Sequence, residues 1–243
     1  MITLIGTGHI FDLSAALTDV LDEQAPDVIG VELDPQRYQA LAMKKQNPEA
    51  LKQSRKNLPL VYKLLARFQD SMAQEYGVSA GDEMMTALSY AQSHGIPAQL
   101  IDTNAQQLFI TMWKQMPFKE KFRLLFSGFG GFFISKNRVE KELKDVQENF
   151  DDYIEQIGEK FPTIKKTLID DRNEHMLRAM LALDQQYDHT VVCLGDGHIP
   201  GISLLLDKQK IAYEAIRLSQ LRSFTPKEKD SASASFSIHY KSQ

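Results

Sequence analysis

The chain has 243 residues, with 28 basic and 32 acidic side chains, a formal charge of −4 and apolar residues at 43%. A globular chain of this length buries enough surface for one large domain without disulfide or metal staples. Cys193 is the single cysteine, which excludes an intramolecular disulfide and a thiolate metal cage. The slight acidic excess argues against nucleic acid as a partner, because phosphate binding depends on clustered cations.

The N-terminus has neither the basic region nor the long apolar region of a secretory signal, since the apolar run Ile2–Ile5 stops at a glycine. The longest aromatic and aliphatic stretch, residues 124–134, is interrupted by glycines and is too short to cross a bilayer. These patterns predict a cytoplasmic protein without a transmembrane segment.

Short apolar runs that end at glycine or at a charged residue alternate with longer helical patterns, such as Leu13–Gln24 and Met84–Ala91. This alternation predicts an α/β fold, in which a mostly parallel central sheet is flanked by helices. Four to six strands, buried on both faces, are expected. The runs that predict them cover residues 2–5, 28–31, 98–101, 191–194 and 211–216.

The stretch from about 105 to 187 holds no convincing strand and has charge-rich helical periodicity, so we expect a helical insertion between two core strands. The sheet is then interrupted in sequence and continuous in space. We predict a single α/β domain over residues 1–222. Residues 223–243 form a tail rich in serine and lysine, weakly ordered by composition, in which 236–240 can still add an edge strand.

One local pattern occurs twice after predicted strands: Gly6-Thr7-Gly8-His9-Ile10 and Gly195-Asp196-Gly197-His198-Ile199. Flanking glycines let the backbone turn tightly and bring an imidazole close to a ligand. If the two strands are parallel neighbours, His9 and His198 emerge at the carboxyl edge of the sheet, where open α/β sheets bind ligands. Glu32 and Asp102 end two further predicted strands, so four polar side chains are expected at that edge.

Imidazole nitrogen and carboxylate oxygen are the ligands of a divalent transition metal when no thiolate is present. Metal binding is therefore one interpretation of this edge. The other is structural: each histidine caps a helix or a turn, while Glu32 and Asp102 mark where strands meet water. The repeated frame favours the functional interpretation.

Arg172 stands in an otherwise apolar helical stripe, so its guanidinium is expected to face the core. A buried cation needs carboxylates, carbonyls or a bound anion, and a structural ion pair and an anion clamp both meet that need. Glu83 lies in a first helical turn, where a carboxylate complements the helix dipole or points into a site.

Six motifs, in chain order from Gly6 to about Gly201, resemble the TraB/PrgY family. That family is similar in turn to the Tiki and GumN proteins and to ChaN-like and erythromycin-esterase-like folds. The motifs are Gly6-Thr7-Gly8-His9, Val31-Glu32-Leu33 with Arg37, Gly81-Asp82-Glu83-Met84, Leu100-Ile101-Asp102, Asp171-Arg172-Asn173 with Met176, and Gly195-Asp196-Gly197-His198-Ile199-Pro200-Gly201.

The resemblance implies paired Gly-x-x-His motifs with a glutamate and an arginine as the functional set, which map onto His9, His198, Glu32 and Arg172. It also implies a metal-dependent peptidase, as proposed for the Tiki branch, or inactivation or sequestration of a peptide pheromone, as for the PrgY branch. The family's Glu-Arg-Asp stands here as Asp171-Arg172-Asn173.

Our first functional hypothesis is a metal-dependent hydrolase that acts on a peptide or a related amide or ester. In it, His9, His198 and Glu32 hold Mn, Co or Zn, and a carboxylate, Glu32 or Glu83, moves the proton of the bound water. In it, substrate binding falls to Arg172, Asp102 and Arg37. In this hypothesis Arg172 binds a substrate carboxylate or the developing oxyanion.

The alternative is a non-enzymatic module that sequesters a peptide or a small anion at the same edge. A third hypothesis, haem binding through a histidine, comes only from the distant fold resemblance.

Residues 124–134 hold four phenylalanines and three glycines between basic flanks. Because glycine makes a poor helix, we expect an irregular segment here. The alternatives for this segment are a buried turn between helices, a lid, an oligomer contact and a surface that touches lipid headgroups. The sequence leaves open whether the protein forms a homo-oligomer.

Overall fold

The computed structural model describes residues 1–8, 12–46, 81–131, 155–156 and 158–224. Within these ranges the chain alternates strands and helices, with a turn of π-helix before α7 and a turn of 3₁₀-helix before α8. In chain order the elements are β1 Ile2–Thr7, α1 Ser14–Gln24, β2 Val28–Val31, α2 Pro35–Gln46, α3 Asp82–His94, β3 Ala98–Leu100, α4 Ala105–Gln115, α5 Phe118–Gly131, α6 Pro162–Lys165, the π-helix Lys166–Asp170, α7 Asp171–Asp184, β4 Thr190–Gly195, the 3₁₀-helix Asp196–His198, α8 Ile199–Lys208, β5 Tyr213–Ile216 and α9 Leu218–Arg222.

The described strands form one sheet in the order β3-β2-β4-β1-β5, and every pair is parallel. This confirms the predicted α/β fold. β1 and β4 are direct neighbours, paired from Ile2 opposite Thr190 to Thr7 opposite Gly195. The two strands that precede the Gly-x-Gly-His sequences therefore end at the same level of the sheet.

The prediction that all strands are buried on both faces is right for the three central strands and wrong for the two outer ones. β1 and β2 are buried throughout, and β4 is buried up to its last residue. β3 and β5 are half exposed, because the strand order places them at the sheet edges, where one side has no neighbouring strand. An apolar sequence run does not distinguish these positions.

Helices cover both faces of the sheet because alternate strand residues point to opposite sides. On the first face, Ile5, Ile29 and Cys193 pack against α1, α3 and α9. On the second face, Leu4, Val192 and neighbouring residues pack against α7 and α8. The fold is thus a three-layer α/β/α arrangement, and its two apolar cores meet at the sheet.

The described part of the stretch 105–187 is helical, as the sequence indicates, although the domain boundaries stay a prediction. Its last helix, α7, is not peripheral, since Met176 and Met180 are fully buried on the second face of the sheet. The expected irregular segment is wrong as far as Gly131, because α5 continues through these glycines. Once a helix is nucleated, each further residue adds a hydrogen bond, which offsets the weak propensity of glycine. Residues 132–134 lie outside the described part.

Among the described residues, every helix is too short or too polar to cross a bilayer.

Two leucines of α8 provide a matched test of this core. Leu206 is completely buried on the second face, whereas Leu204 is 55% exposed on the same helix. We expect Leu206→Ala to lower the free energy of unfolding by about 2.5–5 kcal/mol, because it leaves a cavity in the packed layer. Leu204→Ala should change it by less than about 0.5 kcal/mol. Urea unfolding of both variants measures this, and equal losses would contradict the packing of α8 on the sheet.

Candidate functional site

Three strands deliver polar side chains to the carboxyl edge of the sheet. Glu32 follows β2, Asp102 follows β3, and His198 ends the 3₁₀ turn after β4. Backbone hydrogen bonds fix Glu32 and Asp102 against neighbouring segments: Glu32 N donates to Cys193 O, and Asp102 N donates to Leu33 O. All three residues are buried, at 6%, 7% and 4% exposure. The convergence predicted from the strand ends is thus present for these residues.

The guanidinium of Arg172, in the first turn of α7, lies between these groups. Its Nε donates to Asp102 Oδ1 at 3.0 Å, and Nη2 donates to Asp102 Oδ2 at 2.7 Å and to Glu32 Oε1 at 2.5 Å. Its Nη1 donates to the carbonyl of Leu168 at 3.2 Å and lies 3.0 Å from His198 Nε2. A guanidinium has five N–H donors, and each of the five has an acceptor within the protein.

The two carboxylates of this cluster stabilise the positive charge of Arg172. Burial alone would lower the pKa of Arg172, but the negative charges and hydrogen bonds of Glu32 and Asp102 outweigh it and raise that pKa above its usual value. The guanidinium therefore stays charged. Of the alternatives that the sequence left open for this buried cation, the structure contains carboxylates and a carbonyl, in the planar fork geometry that arginine forms with a carboxylate.

Glu32 is held by both of its oxygens. Oε1 accepts from Arg172, while Oε2 accepts from the backbone N–H of Gly195 at 2.6 Å. A Cβ at position 195 would lie 3.3 Å from Oε2, a tight contact, so the glycine lets the end of β4 approach the carboxylate closely. The first glycine of the second Gly-x-Gly-His sequence thus serves the glutamate of a neighbouring strand.

His198 is oriented by Asn173, the residue after Arg172. The Nδ1 of His198 lies 2.6 Å from Asn173 Oδ1, and both side chains are buried. An amide oxygen only accepts, so Nδ1 carries the proton, and a guanidinium only donates, so Nε2 keeps a lone pair. That lone pair faces Arg172 Nη1 and lies 3.5 Å from Glu32 Oε1. A Cβ at Gly201 would collide with the Asn173 amide, so this glycine makes room for it.

Asn173 is a site residue that the sequence reasoning did not assign. Its signal was the departure from the Glu-Arg-Asp that the resemblance implies, since Asn173 places an amide at the position of the second acid. The amide orients the imidazole without adding a negative charge to the cluster. The π-helix Lys166–Asp170 directly before α7 was also not predicted, and it supplies the Leu168 carbonyl that accepts from Arg172. Such single-turn π segments occur often at functional sites.

Arg37 and Glu83 occupy different parts of the edge. Arg37 Nη1 lies 3.6 Å from Asp102 Oδ2, and its helix begins where Asp34 accepts from the N–H groups of Gln36 and Arg37. Glu83 is buried at the start of α3, on the first face, whereas Arg172 enters from the second. Burial, and then the charge of Glu83, raise the pKa of the Cys193 thiol to about 12, so this thiol is neutral.

His9, the predicted partner of His198, lies outside the described residues, and β1 ends at Thr7 two positions before it. The turn that carries His198 is tied down by Asp196, whose carboxylate accepts from Arg217 Nε and Nη2 and from Leu218 N. A Cβ at Gly6 would collide with this carboxylate. Gly6 therefore lets β1 and the turn after β4 pack together at the site.

A comparison with known protein families shows the family of this chain. The model of the TraB/PrgY/gumN family matches residues 1–214, which is most of the chain. The chain belongs to the TraB/PrgY/gumN family. It is also 28% identical over 212 residues to the uncharacterized protein MJ1365 of Methanocaldococcus jannaschii, covering 85% of this chain and 53% of that protein. The chain thus spans about half the length of this relative.

In this TraB/PrgY/gumN member, three of the four residues implied by the resemblance lie in contact: Glu32, Arg172 and His198. Asp102 joins them through the arginine, and Arg37 lies beside Asp102. Among the residues that the structure describes, no three histidine, cysteine or acidic side chains form a metal-binding group. Within the described cluster, His198 Nε2 and Glu32 Oε1 approach each other to 3.5 Å.

Two arginines of α7 test the importance of the cluster for stability. Arg172→Gln leaves the buried carboxylates of Glu32 and Asp102 without their cation, and we expect a loss of about 3–5 kcal/mol in the free energy of unfolding. Arg178→Gln removes an exposed arginine from the same helix and should cost less than about 0.5 kcal/mol. Chemical denaturation measures both losses, and an unaffected Arg172→Gln variant would refute the buried ion cluster.

Proposed function

We propose that this TraB/PrgY/gumN member is a metal-dependent hydrolase of peptides or of related amides or esters. The observation that supports this most is the pair formed by His198 Nε2 and Glu32 Oε1, which face each other 3.5 Å apart. The remaining polar atom of each side chain is fixed, Nδ1 by Asn173 and Oε2 by Gly195 N. Metal-ligating histidines and carboxylates are typically held by such outer contacts.

The residues present fit a divalent transition metal in two respects. Ligand atoms that lie about 2.0–2.2 Å from one ion are separated by about 3.0–3.5 Å, which is close to the spacing of this pair. The donor set is one imidazole nitrogen and one carboxylate oxygen, which suits Mn, Co or Zn. In the proposal His9, two residues after β1, supplies a further nitrogen.

Arg172 has a positioning role in this proposal rather than direct substrate binding. All five of its donors have protein acceptors, and two of these acceptors are the metal-facing atoms of Glu32 and His198. If Arg172 gives up these two contacts, it keeps the fork to Asp102 and the bond to Leu168 O. The arginine thus neutralises Glu32 and aligns both donors, and Asp102 retains the arginine at the edge when Glu32 and His198 bind another group.

When bound, the metal supplies Lewis acidity, which polarises a carbonyl and makes its water nucleophilic near neutral pH. The chain's own residues do the rest. In the proposal Glu32 would also accept the proton of the attacking water, at Oε1, since this oxygen lies beside the imidazole. Arg37, at the exposed side of Asp102, is the cation available for a substrate carboxylate. Glu83 stays a predicted catalytic residue.

The second candidate is a non-enzymatic module that binds a peptide or a small anion. The saturation of Arg172 favours it, since the guanidinium takes the place between Glu32 and His198 where a cation would bind. In that function the ion cluster only stabilises the edge of the sheet, and Arg37 contacts the ligand. Binding of a peptide that survives chelator and the His198→Ala change, without turnover, would support it.

The test begins with metal-free protein, titrated calorimetrically with Mn, Co and Zn and then assayed by mass spectrometry against a peptide library. His198→Ala and Glu32→Gln each remove a donor of the pair, whereas His175→Ala removes an exposed histidine of α7 and serves as the matched control. We expect wild type and His175→Ala to bind metal and cleave peptides. The other two variants should lose about tenfold or more in metal affinity.

Two outcomes would contradict the hydrolase. In one, the wild type binds none of the three metals and cleaves no peptide in their presence. In the other, His198→Ala binds metal as tightly as His175→Ala, which would place the metal away from the pair.

A further inference from the structure

The turn between α4 and α5 exposes two aromatic rings. Phe118 is 81% exposed and Phe122 is 54% exposed. They stand four residues apart on α5, so both rings project from the same side of the helix. Large apolar side chains that share an exposed face indicate a contact surface, because burying them is favourable.

The charge around these rings has one sign. From Ala105 to Gly131 the sequence has four cations and a single acid, Glu120. Glu120 is buried, and its carboxylate accepts from the N–H and hydroxyl of Thr163. The cations lie at the surface on the same two helices: Lys114, Lys119, Lys121 and Arg123. A chain of net charge −4 thus carries a locally cationic face.

Trp113 belongs to the same face. The ammonium of Lys121 lies 5.4 Å from the centre of its indole ring, a cation–π contact that links α4 to α5. Arg123 is fixed by a bond from its Nη1 to the carbonyl of Lys160. These two contacts fix the position of α5, which exposes aromatic rings and cations together. We call the surface formed by Trp113, Phe118, Lys119, Lys121 and Phe122 the aromatic-basic face.

We propose that the aromatic-basic face docks this protein on a membrane surface that contains anionic lipids. Aromatic side chains settle at the boundary between headgroups and acyl chains, and lysine and arginine are attracted to anionic headgroups. The cations of this face are complementary to anionic headgroups, which favours an approach with this face toward the membrane. A second copy of the chain is the competing occupant, and the test separates the two.

The experiment measures co-sedimentation of the full chain with vesicles of phosphatidylcholine alone and of phosphatidylcholine mixed with phosphatidylglycerol. Trp113 is the single tryptophan, so its fluorescence reports on the face directly. We expect binding to the anionic vesicles only, with a blue shift of the emission and release by salt. The double variant Phe118→Ser with Phe122→Ser should weaken binding by about tenfold or more.

Leu204→Ser is the matched control, since Leu204 on α8 is 55% exposed, like Phe122, and lies outside the aromatic-basic face. It should bind vesicles like the wild type, and thermal unfolding confirms that both variants fold. Three results would overturn the proposal: no binding to anionic vesicles, equal binding by the double variant, or equal loss in Leu204→Ser. A dimer in light scattering that the double variant dissociates, without vesicle binding, would assign the face to a second copy.

Discussion

Two buried carboxylates at the carboxyl edge of the sheet require a cation, and Arg172 provides it. Glu32 and Asp102 end neighbouring strands, so without a counter-charge their like charges would lie together in a region of low polarity. The guanidinium binds both and also reaches the imidazole of His198. Since these groups come from β2, β3, the turn after β4 and α7, one side chain connects the sheet to the helical layer.

The topology explains why the site forms at this place. The connection after β1 leads to α1 on the first face, and the connection after the neighbouring β4 leads to α8 on the second. Adjacent strands whose connections diverge open a crevice at their carboxyl ends. The glycines at 6, 195 and 201 let the elements at this edge approach one another, each beside a polar side chain of the cluster or its turn.

The sequence predicted the strands, the edge and most of the cluster, because these depend on local patterns. Apolar runs predicted the sheet, and Arg172 in an apolar stripe indicated a cation that faces the core. The partners of that cation, the role of Asn173 and the π-helix before α7 depend on distances between segments, which no local pattern contains. The same reason applies to the edge strands β3 and β5, which the sequence reasoning treated as buried. The family resemblance depended on the order of six motifs rather than on any one of them, and the family model over residues 1–214 confirms it.

The central claim is that Arg172 and the carboxylates act as one unit, and a double-mutant cycle tests it directly. The free energies of unfolding of Arg172→Gln, Asp102→Asn and the double variant are measured by urea denaturation. Because each single change removes the same paired interaction, we predict a double variant that is more stable than the sum of the single losses, by about 1–3 kcal/mol. Losses that add within about 0.5 kcal/mol would contradict the account.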